Sequence, residues 1–219
     1  MSEIAANLNA VRARIARAAT RAGRDPQTVR LIAVSKTKSA DAVRAAIAAG
    51  ATDIGENYVQ EAQAKRAAVG DGARWHLIGH LQRNKAARAV EIFDCIQTVD
   101  SAALGAALSR SAAARGRTLR VLVEVRLGGE ATKSGVEPAA LPTLLAALQL
   151  PGLLVEGLMT VPPAGDAEAV RPHFRALRAL RDRAGLRELS MGMSDDFEVA
   201  IEEGATMVRV GRAIFGARP

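Results

Sequence analysis

The chain is 219 residues long, 49% hydrophobic and 24% charged, which suits one globular domain able to bury a sizeable core. No apolar stretch approaches the roughly 20 residues that cross a bilayer, and the start Met1-Ser2-Glu3-Ile4 lacks the charged-then-apolar order of a signal peptide, so the chain reads as cytoplasmic with no membrane partner. The formal charge of +7 comes from scattered arginines, and with 3% aromatic residues there is no base-stacking platform, so it reads as solvated surface and excludes a nucleic-acid partner.

Residues 3 to 22 place Ile4, Leu8, Val11, Ile15 and Ala18 at three- and four-residue spacing, which predicts an amphipathic helix ended by Gly23 and Pro26. Short apolar runs then alternate with helical patterns. The runs are Leu31 to Ser35, Asp53 to Gly55, Trp75 to Gly79, Cys95 to Val99, Leu119 to Val125, Leu154 to Met159, Glu188 to Gly192 and Met207 to Gly211. Between them Ala40 to Ala49, Val59 to Ala68, Leu104 to Ala114, Leu141 to Leu148, Val170 to Ala184 and Asp196 to Glu203 are long enough for the return helices that parallel strands need. The expected fold is a single (β/α)8 TIM barrel over residues 1–219 with an extra N-terminal helix. A doubly wound open sheet is the alternative, but the first strand lacks a Gly-rich dinucleotide turn and no Walker-type loop occurs. The single Cys95 can form no internal disulfide and reads as core.

Lys36 closes the apolar run that begins at Val29, so an amine sits at a strand end, where such a barrel keeps its chemistry. Apolar surroundings lower a lysine pKa, and the neutral amine can attack an aldehyde; taken alone, a solvated strand-end lysine is the simpler reading. The segment Leu189 to Asp196 runs from a strand into a helix, with Gly192 and Ser194 where that helix begins. Backbone N–H groups and a hydroxyl there suit a phosphate, or else Ser194 or Asp195 is an ordinary cap. Arg209 falls inside the last strand and Gly211 at its rim, where glycine permits close backbone approach. An interior arginine is either salt-bridged or faces an anionic or electron-rich ligand. In a closed barrel these segments adjoin Lys36, a geometry that fits a phosphorylated aldehyde.

Lys36 within Ala33-Val34-Ser35-Lys36-Thr37-Lys38, Gly55-Glu56-Asn57-Tyr58-Val59-Gln60-Glu61, the run Trp75 to Lys85, Thr132-Lys133-Ser134-Gly135, Gly157-Leu158-Met159 and the two C-terminal segments closely resemble the pyridoxal phosphate homeostasis protein family over nearly the whole chain. The resemblance implies an alanine-racemase-like barrel carrying pyridoxal 5′-phosphate (PLP) as a Schiff base on Lys36. It also implies that Ser194 with the backbones of Gly211 and Arg212 holds the phosphate, that Arg209 faces the pyridine nitrogen, and that Asn57 lines the ring. An arginine at that nitrogen makes the cofactor a poor electron sink. Relatives commonly carry Thr or Ser after the glycine; Arg212 departs from that form, so only its backbone N–H carries over.

The function so implied is PLP homeostasis: a monomer that buffers PLP or delivers it to apo PLP-dependent enzymes, without turnover, catalytic residues or a metal. The alternative is an amino-acid racemase or decarboxylase on the same barrel. That needs an acid/base group on each ring face, and alanine racemases take one from an additional C-terminal domain, which this sequence is read as lacking. A PLP-free Schiff-base aldolase is a further alternative. Tyr58 is the natural phenolic base or a packing residue, His76 and His80 read as structural and not as a chelate, and Lys38 and Lys133 are secondary aldehyde or phosphate contacts.

Overall fold

In a computed structural model, which describes residues 2–128 and 134–217, the eight apolar runs form parallel strands. These are β1 Arg30–Val34, β2 Asp53–Glu56, β3 Arg74–Leu77, β4 Cys95–Val99, β5 Leu119–Glu124, β6 Leu153–Met159, β7 Glu188–Ser190 and β8 Met207–Val210. They close in chain order, with β8 pairing back onto β1 through Ile32 opposite Arg209 and Ala33 opposite Val210. Closure leaves no edge, which lets strands as short as the three residues of β7 stay paired on both sides. The helices are α1 Glu3–Arg21, α2 Ala40–Ala48, α3 Val59–Val69, α4 Ala86–Ile92, α5 Ala102–Ala113, α6 Leu141–Ala147, α7 Ala167–Arg183, α8 Phe197–Glu202 and α9 Arg212–Phe215.

The first helix is the expected addition to the barrel. Ser2 caps it by accepting the Ala5 N–H, and its apolar stripe buries Leu8, Val11, Ile15, Ala18 and Ala19 against α2, α8 and α9. Each fully buried Leu, Ile or Val there contributes about 1.5–3 kcal/mol. Gly23 ends the segment at φ +67°, and Pro26 opens a short 3-10 turn that delivers the chain to β1. Two elements escape the periodicity argument. Helix α4 is seven residues of Ala, Arg, Val, Glu and Ile, too short to show a clear stripe, and α9 is a single turn. Among the described residues no helix is long and apolar enough to cross a membrane.

The barrel interior is part apolar and part polar. Ile32, Cys95, Leu122, Met159 and Met207 pack as one buried cluster, and burial pushes the Cys95 thiol pKa up, as befits an inert core residue. Beside it run the buried His76, Gln97, Ser190 and Arg209. Gly55 leaves room for this filling, because a Cβ there would lie 2.8 Å from Ile32 Cγ2.

Candidate functional site

Lys36 lies two residues beyond β1, half-buried in the turn toward α2. The Ser35 N–H donates to the Gly55 carbonyl at 3.0 Å, and the Lys38 N–H closes the turn onto the Ser35 carbonyl at 3.0 Å. Between them Thr37 is held at φ +64°, a left-handed conformation that a β-branched residue adopts only where its surroundings over-determine it. Those surroundings are visible. The Thr37 N–H donates to Glu61 Oε1 at 2.6 Å, and Lys65 Nζ donates to Glu61 Oε1 at 2.7 Å, Glu56 Oε1 at 2.6 Å and the Ser35 carbonyl at 2.6 Å. Ser35 Oγ also donates to Glu56 Oε1 at 2.6 Å. Burial pushes the Glu56 carboxyl above its usual range, against the pull of Lys65 and Ser35. Two lysines thus meet the same turn in different roles: Lys65 is buried and charge-paired beneath it, and Lys36 stands in the mouth. The sequence reading missed this buttress, although Glu61 and Lys65 at i and i+4 carry its signal. Lys38, read as a secondary contact, donates instead to the Ala217 carbonyl at 2.5 Å; Thr132 and Lys133 lie outside the described residues.

On the other side of the β1 seam, Ser194 sits half-buried in the turn before α8. Asp196, not Ser194 or Asp195, closes that turn by accepting the Met193 N–H at 2.5 Å. Gly192, at φ +93°, lets the chain pass where a Cβ would lie 2.6 Å from that of Ala200. Gly211 leaves β8 directly against β1, since a Cβ there would sit 3.1 Å from the Val34 carbonyl oxygen. Arg212 opens α9, where a helix has no internal acceptor for its backbone N–H. Its exposed side chain donates to both carboxylate oxygens of Asp195, at 2.6 and 2.5 Å, tying the two loops together. Arg209 is only 4% exposed; its guanidinium donates to Ser190 Oγ and to the Thr160 carbonyl, each at 2.8 Å. Burial lowers its pKa to about 10 while Glu124 and Asp196 pull it back up, so it stays cationic at neutral pH.

The opposite half of the mouth holds a cavity of about 260 Å³ whose wall includes Asn57, Gly79, His80, Glu124 and Arg126. Two buried oxygens without a hydrogen-bond partner, Asn57 Oδ1 and Glu124 Oε2, belong to this wall. Larger hollows lie at the bottom of the barrel and between α6 and α7, but neither has such an oxygen, which makes the mouth the place where a ligand is owed. Burial, with Asp100 nearby, pushes the Glu124 carboxyl up to about 7, Arg209 acting in the other direction. Tyr58 is 61% exposed beside Asn57, and His80 is exposed near Asp100 and Ser134.

His76 and His80 part company, as the strand reading required. His76 is buried with Nε2 2.8 Å from Asp53 Oδ1, a carboxylate from the start of β2 that sequence spacing could not bring to it. Among the described residues no cluster of three metal-binding side chains forms.

A closed barrel with this lysine turn and these loops defines a class, that of the alanine racemase N-terminal domain, whose family model matches residues 6–219. The chain is 50% identical over 223 residues to the pyridoxal phosphate homeostasis protein of Pseudomonas aeruginosa, covering 100% of this chain and 97% of that one. It belongs to the pyridoxal phosphate homeostasis protein family. Among solved structures, PipY of Synechococcus elongatus PCC7942 with PLP bound matches with a TM-score of 0.86 at 40% identity, over 97% of this chain and 100% of that one. The alanine racemase of a D-cycloserine-producing Streptomyces lavendulae shares the fold, with a TM-score of 0.71 at 25% identity over 97% of this chain and 58% of that one.

Proposed function

We propose that this chain binds PLP as a Schiff base on Lys36 and buffers it, or delivers it to apo PLP-dependent enzymes, without turnover. The observation that carries the reading is the close approach of Gly211 to the Val34 carbonyl across the β1–β8 seam, two residues before Lys36, which brings the strand end that bears the amine beside a loop of backbone donors. The PLP bound to PipY and the naming of the relatives support the same cofactor. PLP supplies an aldehyde that a lysine captures reversibly and, when its ring nitrogen is protonated, an electron sink. Ser194 Oγ and the N–H groups of Gly211 and Arg212 hold the phosphate, Arg209 faces the ring nitrogen, and Asn57 lines the ring. Because Arg209 is cationic and can only donate, it leaves the ring nitrogen unprotonated, which favours holding over turnover.

The test is a visible spectrum of the purified protein before and after borohydride reduction, followed by peptide mapping. An imine band trapped on Lys36 and lost in Lys36→Ala supports the reading, while trapping on Lys38 or Lys133 overturns the assignment. The racemase alternative predicts α-proton exchange of amino acids in deuterated water at about 1 s⁻¹ or faster, lost in Tyr58→Phe; that result would replace the carrier.

A further inference from the structure

Two ends of the barrel are joined by an unbroken line of buried side-chain hydrogen bonds. Arg209 Nη1 meets Ser190 Oγ at 2.8 Å, Ser190 Oγ meets Gln97 Oε1 at 2.6 Å, Gln97 Nε2 meets His76 Nδ1 at 3.1 Å, and His76 Nε2 meets Asp53 Oδ1 at 2.8 Å. All five residues are buried. The line crosses the interior from the upper part of β7 and β8 to the first residue of β2.

With a single proton on His76, the chemistry of the two ends allows one direction. A guanidinium can only donate, and Asp53 can only accept, because hydrogen bonds from His76, Arg74 and Thr52 outweigh its burial and bring its carboxyl down to about 2. Ser190 therefore accepts from Arg209 and donates to Gln97, and Gln97 donates through its amide nitrogen to His76. His76 accepts at Nδ1 and carries its proton on Nε2. Every donor points the same way, so each bond polarises the next. Barrel interiors are ordinarily filled by branched apolar side chains, and the neighbouring cluster of Ile32, Leu122 and Met159 shows that this one can be. A polar column is costly unless every member is satisfied, and here each is. The pairing of β4 with β5 shifts register between Ile96 and Val99, and Gln97 falls in that irregularity, as expected where a bulge re-aims a side chain.

We propose that Gln97 and His76 are positioning residues, a one-way hydrogen-bond relay that holds the Arg209 guanidinium in place and so sets how it meets the cofactor ring. This rests on the PLP reading above. Neither residue touches the ligand; removing Gln97 leaves Ser190 Oγ free to rotate and Arg209 held by the Thr160 carbonyl alone, and removing His76 frees the Gln97 amide that orients Ser190.

The experiment compares the PLP-loaded wild-type protein with Gln97→Leu, using Cys95→Ala as the control for disturbed packing in the same interior. Gln97→Leu is expected to weaken PLP and phosphate-free pyridoxal alike, by roughly three- to tenfold, the scale of one displaced hydrogen bond. The absorbance band of the bound cofactor should move, whereas Cys95→Ala lowers thermal stability and leaves band and affinity in place. Equal spectra and affinities for the two variants would overturn the relay, and a loss for PLP alone would reassign the effect to the phosphate. Should Gln97→Leu fail to fold, side-chain nitrogen NMR of the PLP-free wild-type protein decides: a His76 proton on Nε2 supports the relay, and one on Nδ1 defeats it. A wild-type protein that binds no PLP would defeat the proposed function, while the tautomer still reports on the relay.

Discussion

Asp53 and Glu124 are both carboxylates buried inside one barrel, and they have opposite lives. Asp53 starts β2 at the bottom, is bonded by His76, Arg74 and Thr52, and titrates near 2. Glu124 ends β5 at the mouth, keeps Oε2 without a partner, and titrates near 7. Equal burial therefore does not mean equal purpose. At Asp53 the strand N-terminus is finished structure, with every polar atom of the carboxylate engaged, while the strand C-termini hold a polar debt that a ligand can settle.

The comparison breaks first at Asp53. Asp53→Ala should cost about 3 kcal/mol, because it strips a charged acceptor from the buried His76 N–H and from Arg74 and Thr52, read by urea denaturation at pH 7; a loss under about 1 kcal/mol would mean the bottom network is idle. Wild-type stability should also fall by about 2 kcal/mol on acidification, because a carboxylate whose folded pKa is depressed loses its contribution as pH drops from about 4 to about 2.

At Glu124 the sign reverses. Its folded pKa lies above the ordinary value of 4.5, so the folded protein binds the extra proton and stability declines as pH rises from 4.5 to about 7. Glu124→Gln should therefore stabilise the ligand-free protein at pH 8 by about 2–3 kcal/mol and flatten that decline, measured as melting temperature against pH. An unchanged profile would show that Glu124 is as well settled as Asp53.

Ser194→Ala should leave stability alone and weaken PLP by about ten- to a hundredfold through one lost charge-assisted hydrogen bond. Titration with pyridoxal should show no such loss, and parallel losses would move Ser194 from the phosphate to the ring. Smallest is Arg212→Ala: its pair with Asp195 is exposed on both sides, so unfolding should change by less than about 1 kcal/mol, and a larger effect in calorimetry would give this loop tie a structural weight its exposure denies it.

Apolar runs separated by helical patterns are local properties, and they located all eight strands to within a residue or two at most ends. Lys36, Arg209 and Gly211 were legible because a charge or a glycine interrupts an apolar run. The buttress beneath Lys36 was not, since Ser35, Glu56 and Lys65 come from a turn, a strand end and a helix whose meeting depends on how β1 and β2 pair. Ser194 lies in the expected loop, but neither it nor Asp195 caps α8: Asp196 stands at the cap position and turns its carboxylate back to the Met193 N–H, a choice made by backbone geometry that three adjacent polar residues cannot reveal.

By itself the sequence determined the order of the strands and of every helix but α4 and α9, the amphipathic first helix, the core position of Cys95 and the family, all of which follow from periodicity and contiguous motifs. Tertiary structure alone decided which polar residues share the barrel interior. Asp53, His76, Gln97, Ser190 and Arg209 belong to five different strands, and only closure of the sheet turns them inward onto one line. A hydrogen bond needs two atoms within about 3 Å, and that proximity is set by register and closure, not by distance along the chain.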